Sequence, residues 1–249
     1  MLKPIGIFDS GVGGLSVLRR LIEHMPNQSF VYFGDCINAP YGGRPVNELL
    51  QLSLEGLGFL MRFDLSCIVL ACGSVSANCA AALRQQISLP IFDMVAPNMA
   101  ALASSSRPMG FIATAATINS GTYRLEYAKA CPSFVPLIEG GLHNSPAAYQ
   151  AAKDELASLV SSPIEALVCG CTHYPFMEPA IRAAFTESGK AIDILDPANW
   201  LAKDLSTRFT IETDASPTYR FYTSAYPERL GGLLNTFLPN QKIETIGEL

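Results

Sequence analysis

Two cysteines stand at matched places in this chain. Cys72 lies in LACGSVSANC (70–79) and Cys171 in VCGCTHYP (168–175). The surrounding segments SCIVLACGSVSANCAA and EALVCGCTHYPFMEPAI share one plan: an apolar strand, a cysteine, small hydroxyl residues, then a helix. Ligands of open α/β sheets bind outside the carboxyl ends of the strands. Two such ends facing each other would place a thiol on each side of one bound molecule, and paired thiols can serve as acid and base. A helix N-terminus favours the thiolate, so Cys72 is expected to carry a lowered pKa. His173, two residues after Cys171, could stabilise or feed that thiol. A Cys–His hydrolase would need only one thiol. A cysteine in an apolar context is ordinarily a buried structural residue, and Cys67 and Cys79 read that way. Cys169, Cys171 and His173 form C-x-C-x-H, which is not a standard zinc spacing, so no metal is expected.

Other motifs cluster at strand ends. In FDSGVGGLSVL (8–18), Asp9 ends a strand, and Gly11, Gly13 and Gly14 permit a tight turn into a helix. Backbone N–H groups there could hold a carboxylate; alternatively, Asp9 or Ser10 simply caps the helix. Ser16 stands where a dinucleotide fingerprint needs a third glycine, and no Gly-Lys-Ser/Thr follows for a P-loop. GDCINAPYGGRP (34–45) sets Tyr41 between Pro40 and Gly42, either a fixed irregular loop or a surface connection. Only three histidines occur. His24 falls late in a helix pattern and reads as surface. His143 follows Glu139-Gly140-Gly141 and has no assigned role.

The elements that must position these residues alternate. Strands are expected at 5–9, 30–34, 66–71, 90–93, 109–113, 134–138, 165–170, 191–196 and 219–224. Between them, GGLSVLRRLIEHM, VNELLQLSLEGLGFLMRF and SANCAAALRQQ repeat apolar residues at three and four, the mark of helices with one buried face. This alternation predicts an α/β fold with mostly parallel sheets covered by helices. Nine strands favour two lobes over one sheet, joined near ASSSRPMG (103–110).

Composition narrows the function. Of 249 residues, 49% are hydrophobic and 16% charged, with a net charge of −5. No basic cluster marks a nucleic-acid or anionic-membrane partner. No signal-like N-terminus and no spanning apolar run are present. Seven cysteines, an odd number in apolar segments, fit reduced thiols in a cytoplasmic protein better than a disulfide framework.

FDSGVGGLSVL, GDCINAPYGGRP, LACGSVSA, ATAATINSGTY, VPLIEGG and VCGCTHYP occur in the order and near the spacing seen in glutamate racemase. The chain resembles that cofactor-independent aspartate/glutamate racemase family over nearly its whole length. The resemblance implies two similar α/β lobes closing on one amino acid, with lobe one at 1–95 plus 205–249 and lobe two at 96–204. It implies Cys72 and Cys171 on opposite faces of the α-carbon, one removing the α-proton and the other returning one. Asp9 would support Cys72, and His173 with Glu139 would support Cys171. Ser10, Pro40, Tyr41, Gly42, Gly73, Ser74, Thr117 and Thr172 fall on substrate-binding positions, with Thr114 a further candidate. No cofactor or metal is expected. The substrate is an amino acid, glutamate first, with D-glutamate serving peptidoglycan synthesis. Family members are often homodimers.

The family places Asn-Thr directly after the first cysteine; here Gly73-Ser74 stand there. Losing an amide bonded to a charged group costs about 1.5–3 kcal/mol, roughly tenfold to a hundredfold in binding. The departure leaves two alternatives open: a racemase for another small acid, or a weakly active paralogue that binds or regulates.

Overall fold

Alternating strands and helices build two parallel sheets. The structure, a computed structural model, describes residues 3–208 and 217–245. In chain order the first lobe runs β1 (Ile5–Asp9), α1 (Leu15–His24), β2 (Phe30–Gly34), α2 (Val46–Leu60), β3 (Cys67–Leu70), α3 (Gly73–Gln86) and β4 (Ile91–Asp93), and α4 (Val95–Ser104) leads into the second. The second runs β5 (Met109–Ala113), α5 (Ala115–Asn119), β6 (Tyr127–Ala130), α6 (Phe134–Glu139), α7 (Pro146–Val160), β7 (Ala166–Cys169), a 3₁₀ turn (Tyr174–Met177), α8 (Glu178–Thr186) and β8 (Asp193–Leu195). Then come α9 (Ala198–Arg208), β9 (Tyr219–Thr223), α10 (Pro227–Leu234) and β10 (Ile243–Thr245).

The first sheet has six strands in the order β10-β9-β2-β1-β3-β4; the second has four, β6-β5-β7-β8. All pairings are parallel. β1 lies between β2 and β3 with every residue buried, because both faces of a parallel sheet are covered by helices. On one face Ile5 and Ile7 pack with Leu15, Leu18 and Leu21 of α1; on the other Phe8 packs with Leu57 of α2 and Leu83 of α3. The strand ends carrying Asp9, Cys72 and, in the second lobe, Cys171 therefore lie on rigid supports.

The chain returns to the first lobe through α9, whose Ala198, Leu201, Ala202 and Leu205 join the core beneath α1. Residues 1–2, 209–216 and 246–249 of the expected first lobe lie outside the described residues.

One expected strand is wrong. Residues 134–138 form the helix α6, not a strand. The run FVPLI is too short for periodicity to separate strand from helix. Pro136 sits in the helix's first turn, where its missing N–H costs nothing. Phe134, Val135 and Ile138 turn inward at helical spacing. The strand that pairs with β5 is instead β6, whose half-buried YAKA carries no strong apolar signal. β10 was also not expected.

Candidate active site

Each cysteine sits where a central strand ends. Cys72 is the N-cap residue of α3, 5% exposed, and its Sγ lies 3.3 Å from the Ser10 hydroxyl at the end of β1. Cys171 follows β7 by two residues, 6% exposed, with Sγ 3.8 Å from His173 Nδ1. The other ring nitrogen of His173 meets Glu139 Oε1 at 2.7 Å, and that oxygen also accepts the Val12 N–H.

The electrostatics of the two thiols differ. Burial alone would lower the His173 pKa, but its contacts with Cys171 and Glu139 outweigh that and hold it well above its ordinary value. Burial works against the Glu139 carboxylate, yet the His173 hydrogen bond and charge hold it below the usual range. The pair is an imidazolium–carboxylate with the proton-bearing ring aimed at Cys171. At Cys72 the expected lowering is absent. Burial pushes this thiol up to about 12 and the Asp9 charge adds to it, while the Ser10 hydroxyl and the Val75 N–H pull the other way. Desolvation exceeds the helix terminus here.

Asp9 is fully buried, and desolvation raises its pKa to about 6 against the lowering by His173 and the Gly14 and Gly11 N–H groups. Its Oδ1 accepts the Gly11 N–H at 3.0 Å and its Oδ2 the Thr172 hydroxyl at 3.3 Å. It acts on Cys72 through charge; Ser10 is the residue that touches that sulfur.

The loop after β1 mates with the second lobe. Ser16 donates to the Thr172 carbonyl at 2.9 Å. A Cβ at Gly11 would meet Glu139 Oε1 at 2.3 Å, and one at Gly13 would meet His173 Nδ1 at 2.3 Å. These glycines are clearance for the Glu139–His173 pair.

The hydroxyl-bearing candidates converge on the opposite seam. Ser74 Oγ lies 2.8 Å from Thr114 Oγ1, which lies 3.0 Å from Thr117 Oγ1. Thr114, the weaker sequence candidate, caps α5 and links the lobes. The Gly42 carbonyl accepts the Ala116 N–H at 2.9 Å. Pro40 follows a cis peptide and is exposed at the turn. Tyr41 is buried, and its hydroxyl donates to Asp35 Oδ2 at 2.6 Å. Asp35 also accepts from Asn38 and from Ser224 Oγ, so it anchors the Tyr41 loop to β9. Sequence reasoning missed Asp35; its place directly after the strand residue Gly34 was the available signal. It also missed Ser16 and Asn78, whose amide donates to the Ala116 carbonyl.

His143 lies apart from both thiols. With Val12, Glu139, Glu228 and Arg229 it lines a cavity of about 470 Å³ beside α10. Cys67 and Cys79 are buried in the first-lobe cores, as expected. All seven cysteines are free. Among the described residues no three His, Cys, Asp or Glu side chains gather as metal ligands would, and no helix is long and apolar enough to cross a membrane.

A family model described as Asp/Glu/Hydantoin racemase matches residues 33–205. A glutamate racemase of Thermus thermophilus is 40% identical over 221 residues, 87% of this chain and 84% of that protein. Among solved structures, a glutamate racemase isoform of Bacillus anthracis superposes with a TM-score of 0.86 at 30% identity, covering 98% of this chain and 97% of that one. A Francisella tularensis glutamate racemase in complex with D-glutamate gives 0.84 at 29% identity, with 98% and 97% covered.

Proposed function

The chain belongs to the Asp/Glu/hydantoin racemase family and is an amino-acid racemase, and from that premise we propose that it interconverts L- and D-glutamate by a two-thiol proton exchange without a cofactor. One observation carries the mechanism: two buried thiols at the ends of central strands of separate sheets, each with its own polar partner. Racemisation needs an acid and a base on opposite faces of the α-carbon, and the two must trade roles with direction. Identical side chains do this symmetrically.

In one direction Cys171 takes the α-proton, and the neighbouring His173 imidazolium stabilises the charge that develops on sulfur. Cys72, whose raised pKa keeps it a thiol, delivers a proton to the other face. In reverse, Cys72 must become the base; the Ser10 hydroxyl at 3.3 Å is placed to donate to its sulfur, and Asp9 acts on it through charge. The carbanion is stabilised by fixed dipoles in a dry cleft. Hydroxyls of Ser10, Ser74, Thr117 and Thr172, with the N-terminus of α3, hold the substrate's charged groups. Tyr41 and Gly42, with Pro40 shaping their turn, close the cleft over it.

The two lobes act as domains in this reading, 1–95 with 205–249 against 96–204, with α9 packed on the first. A cytoplasmic homodimer supplying D-glutamate for peptidoglycan is part of the same proposal. Polarimetry tests the activity: metal-free, cofactor-free protein should bring L-glutamate and D-glutamate to the same zero rotation. Constant rotation from both enantiomers, with another acidic amino acid racemised instead, would assign the Gly73 corner to a different substrate.

A further inference from the structure

We propose that Gly73 sets the closing distance between the two cysteine-bearing turns, by letting the backbone after Cys72 seat directly on the carbonyl before Cys171. This inference rests on the racemase reading above and names a positioning residue within it.

Gly73 is the first residue of α3. A Cβ built on it would lie 2.6 Å from the Gly170 carbonyl oxygen and 3.7 Å from Thr117 Oγ1, both in the second lobe. Ordinary contact begins at 3.4 Å, so even a methyl group must push the seam apart by most of an ångström. The obstacle cannot step aside. The Gly170 N–H donates to the Ile112 carbonyl at 2.7 Å, which ties it to β5. Its own Cα is pressed against the Phe111 ring, where a Cβ would come within 2.2 Å of Cζ. The space around the contact is about 10 Å³, bounded by Ser16, Ala71, Cys169 and Thr172. That is room for about one water, too small for a side chain to turn into.

The contact is flanked on both sides by polar bonds between the lobes. Ser16 holds the Thr172 carbonyl on one side. On the other, Ser74 meets Thr114 and Asn78 holds the Ala116 carbonyl. These bonds have the reach to form only if the backbones approach as Gly73 allows. Because Cys72 and Cys171 are the immediate chain neighbours of the two touching glycines, the seam fixes the gap that the α-carbon must fill. A misplacement of about 1 Å in such a gap costs on the order of a hundredfold in rate.

Gly73→Ala and Gly73→Asn test this. With glutamate in both directions, the expected result is a kcat about 10- to 100-fold lower for Ala and at least as low for Asn. KM should stay within about threefold, the thermal midpoint should fall modestly as the flanking inter-lobe bonds lengthen, and the α-deuterium isotope effect on kcat should rise as proton transfer becomes limiting. Parental kcat in either variant would overturn the proposal. So would a gain in kcat/KM for Gly73→Asn, which would make position 73 a missing substrate contact. A crystal structure of Gly73→Ala reads the seam independently of activity: residue 73 should retreat from the Gly170 carbonyl, and an unmoved seam would overturn the proposal. Absence of glutamate turnover in the parent would instead count against the substrate assignment and leave the structural test standing.

Discussion

Gly13 lies so close to His173 that a Cβ on the glycine would come within 2.3 Å of the ring's Nδ1. That nitrogen faces Cys171 Sγ at 3.8 Å. The loop after the first strand thus supports the second cysteine, more than 150 residues away in the chain. Gly13→Ala is expected to displace the ring and lower kcat at least tenfold. Circular dichroism should be unchanged, because the glycine has no positive φ to lose. Steady-state kinetics beside a melting curve checks this; a variant with parental kcat would show that the ring position does not matter.

Glu139→Gln removes the carboxylate that helps hold the His173 proton. The pKa of His173 should fall toward its ordinary value, so the alkaline limb of the pH–rate profile should move to lower pH. The imidazolium's contribution to folding stability is present below the unfolded histidine value near 6.5 and is lost as pH rises through the higher folded value. The variant should therefore lose the most stability at pH 5 to 6.5, and less as pH rises through the folded His173 value. An alkaline limb that does not move would separate His173 from the rate.

Asp9→Asn should trade activity for stability. Folding moves this carboxyl from 3.8 to about 6, chiefly through burial. Holding it ionised at pH 8 costs on the order of 3 kcal/mol. The raised value means that its stabilising contribution is present below pH 3.8 and is lost as pH rises through 6. The isosteric amide removes that cost, so the urea midpoint should rise at pH 8 and match the parent near pH 4, while kcat falls. A lower midpoint at pH 8 would mean that the Gly11 and Thr172 bonds outweigh the burial.

Tyr41→Phe deletes the donor to Asp35 Oδ2 and leaves that buried carboxylate with Asn38 and Ser224. About 1–3 kcal/mol of stability should go, and KM should rise because the loop also carries the Gly42 contact to Ala116. Unfolding midpoints and KM measured together distinguish this from a purely local loss.

Much of the site was legible because strand ends place ligands. The cysteines and His173 could be positioned from the pattern of an apolar run followed by small polar residues, while Ser10 read as a possible helix cap and came to the site only through the family resemblance. What the pattern could not carry was contact across the lobes. Gly11 and Gly13 read as a turn, while their reason is Glu139 and His173. Cys72 read as an activated thiol because its helix terminus is visible in sequence and its burial is not; burial wins and pushes it up to about 12. FVPLI read as a strand because β-branched and aromatic residues dominate it, yet Pro136 in a first helical turn is equally compatible. Tyr127–Ala130 pairs with β5 despite its Lys, through a neighbour that sequence cannot show.

The central claim is that two thiols share the proton transfer. Exchange of the α-proton of L- and D-glutamate with D2O, followed by NMR together with optical rotation, tests it in the parent and in Cys72→Ala and Cys171→Ala. The parent should incorporate deuterium as rotation decays, and each single variant should lose racemisation in both directions, because each direction needs one sulfur to take the proton and the other to give it. Racemisation at the parental rate in either variant would contradict the two-thiol account.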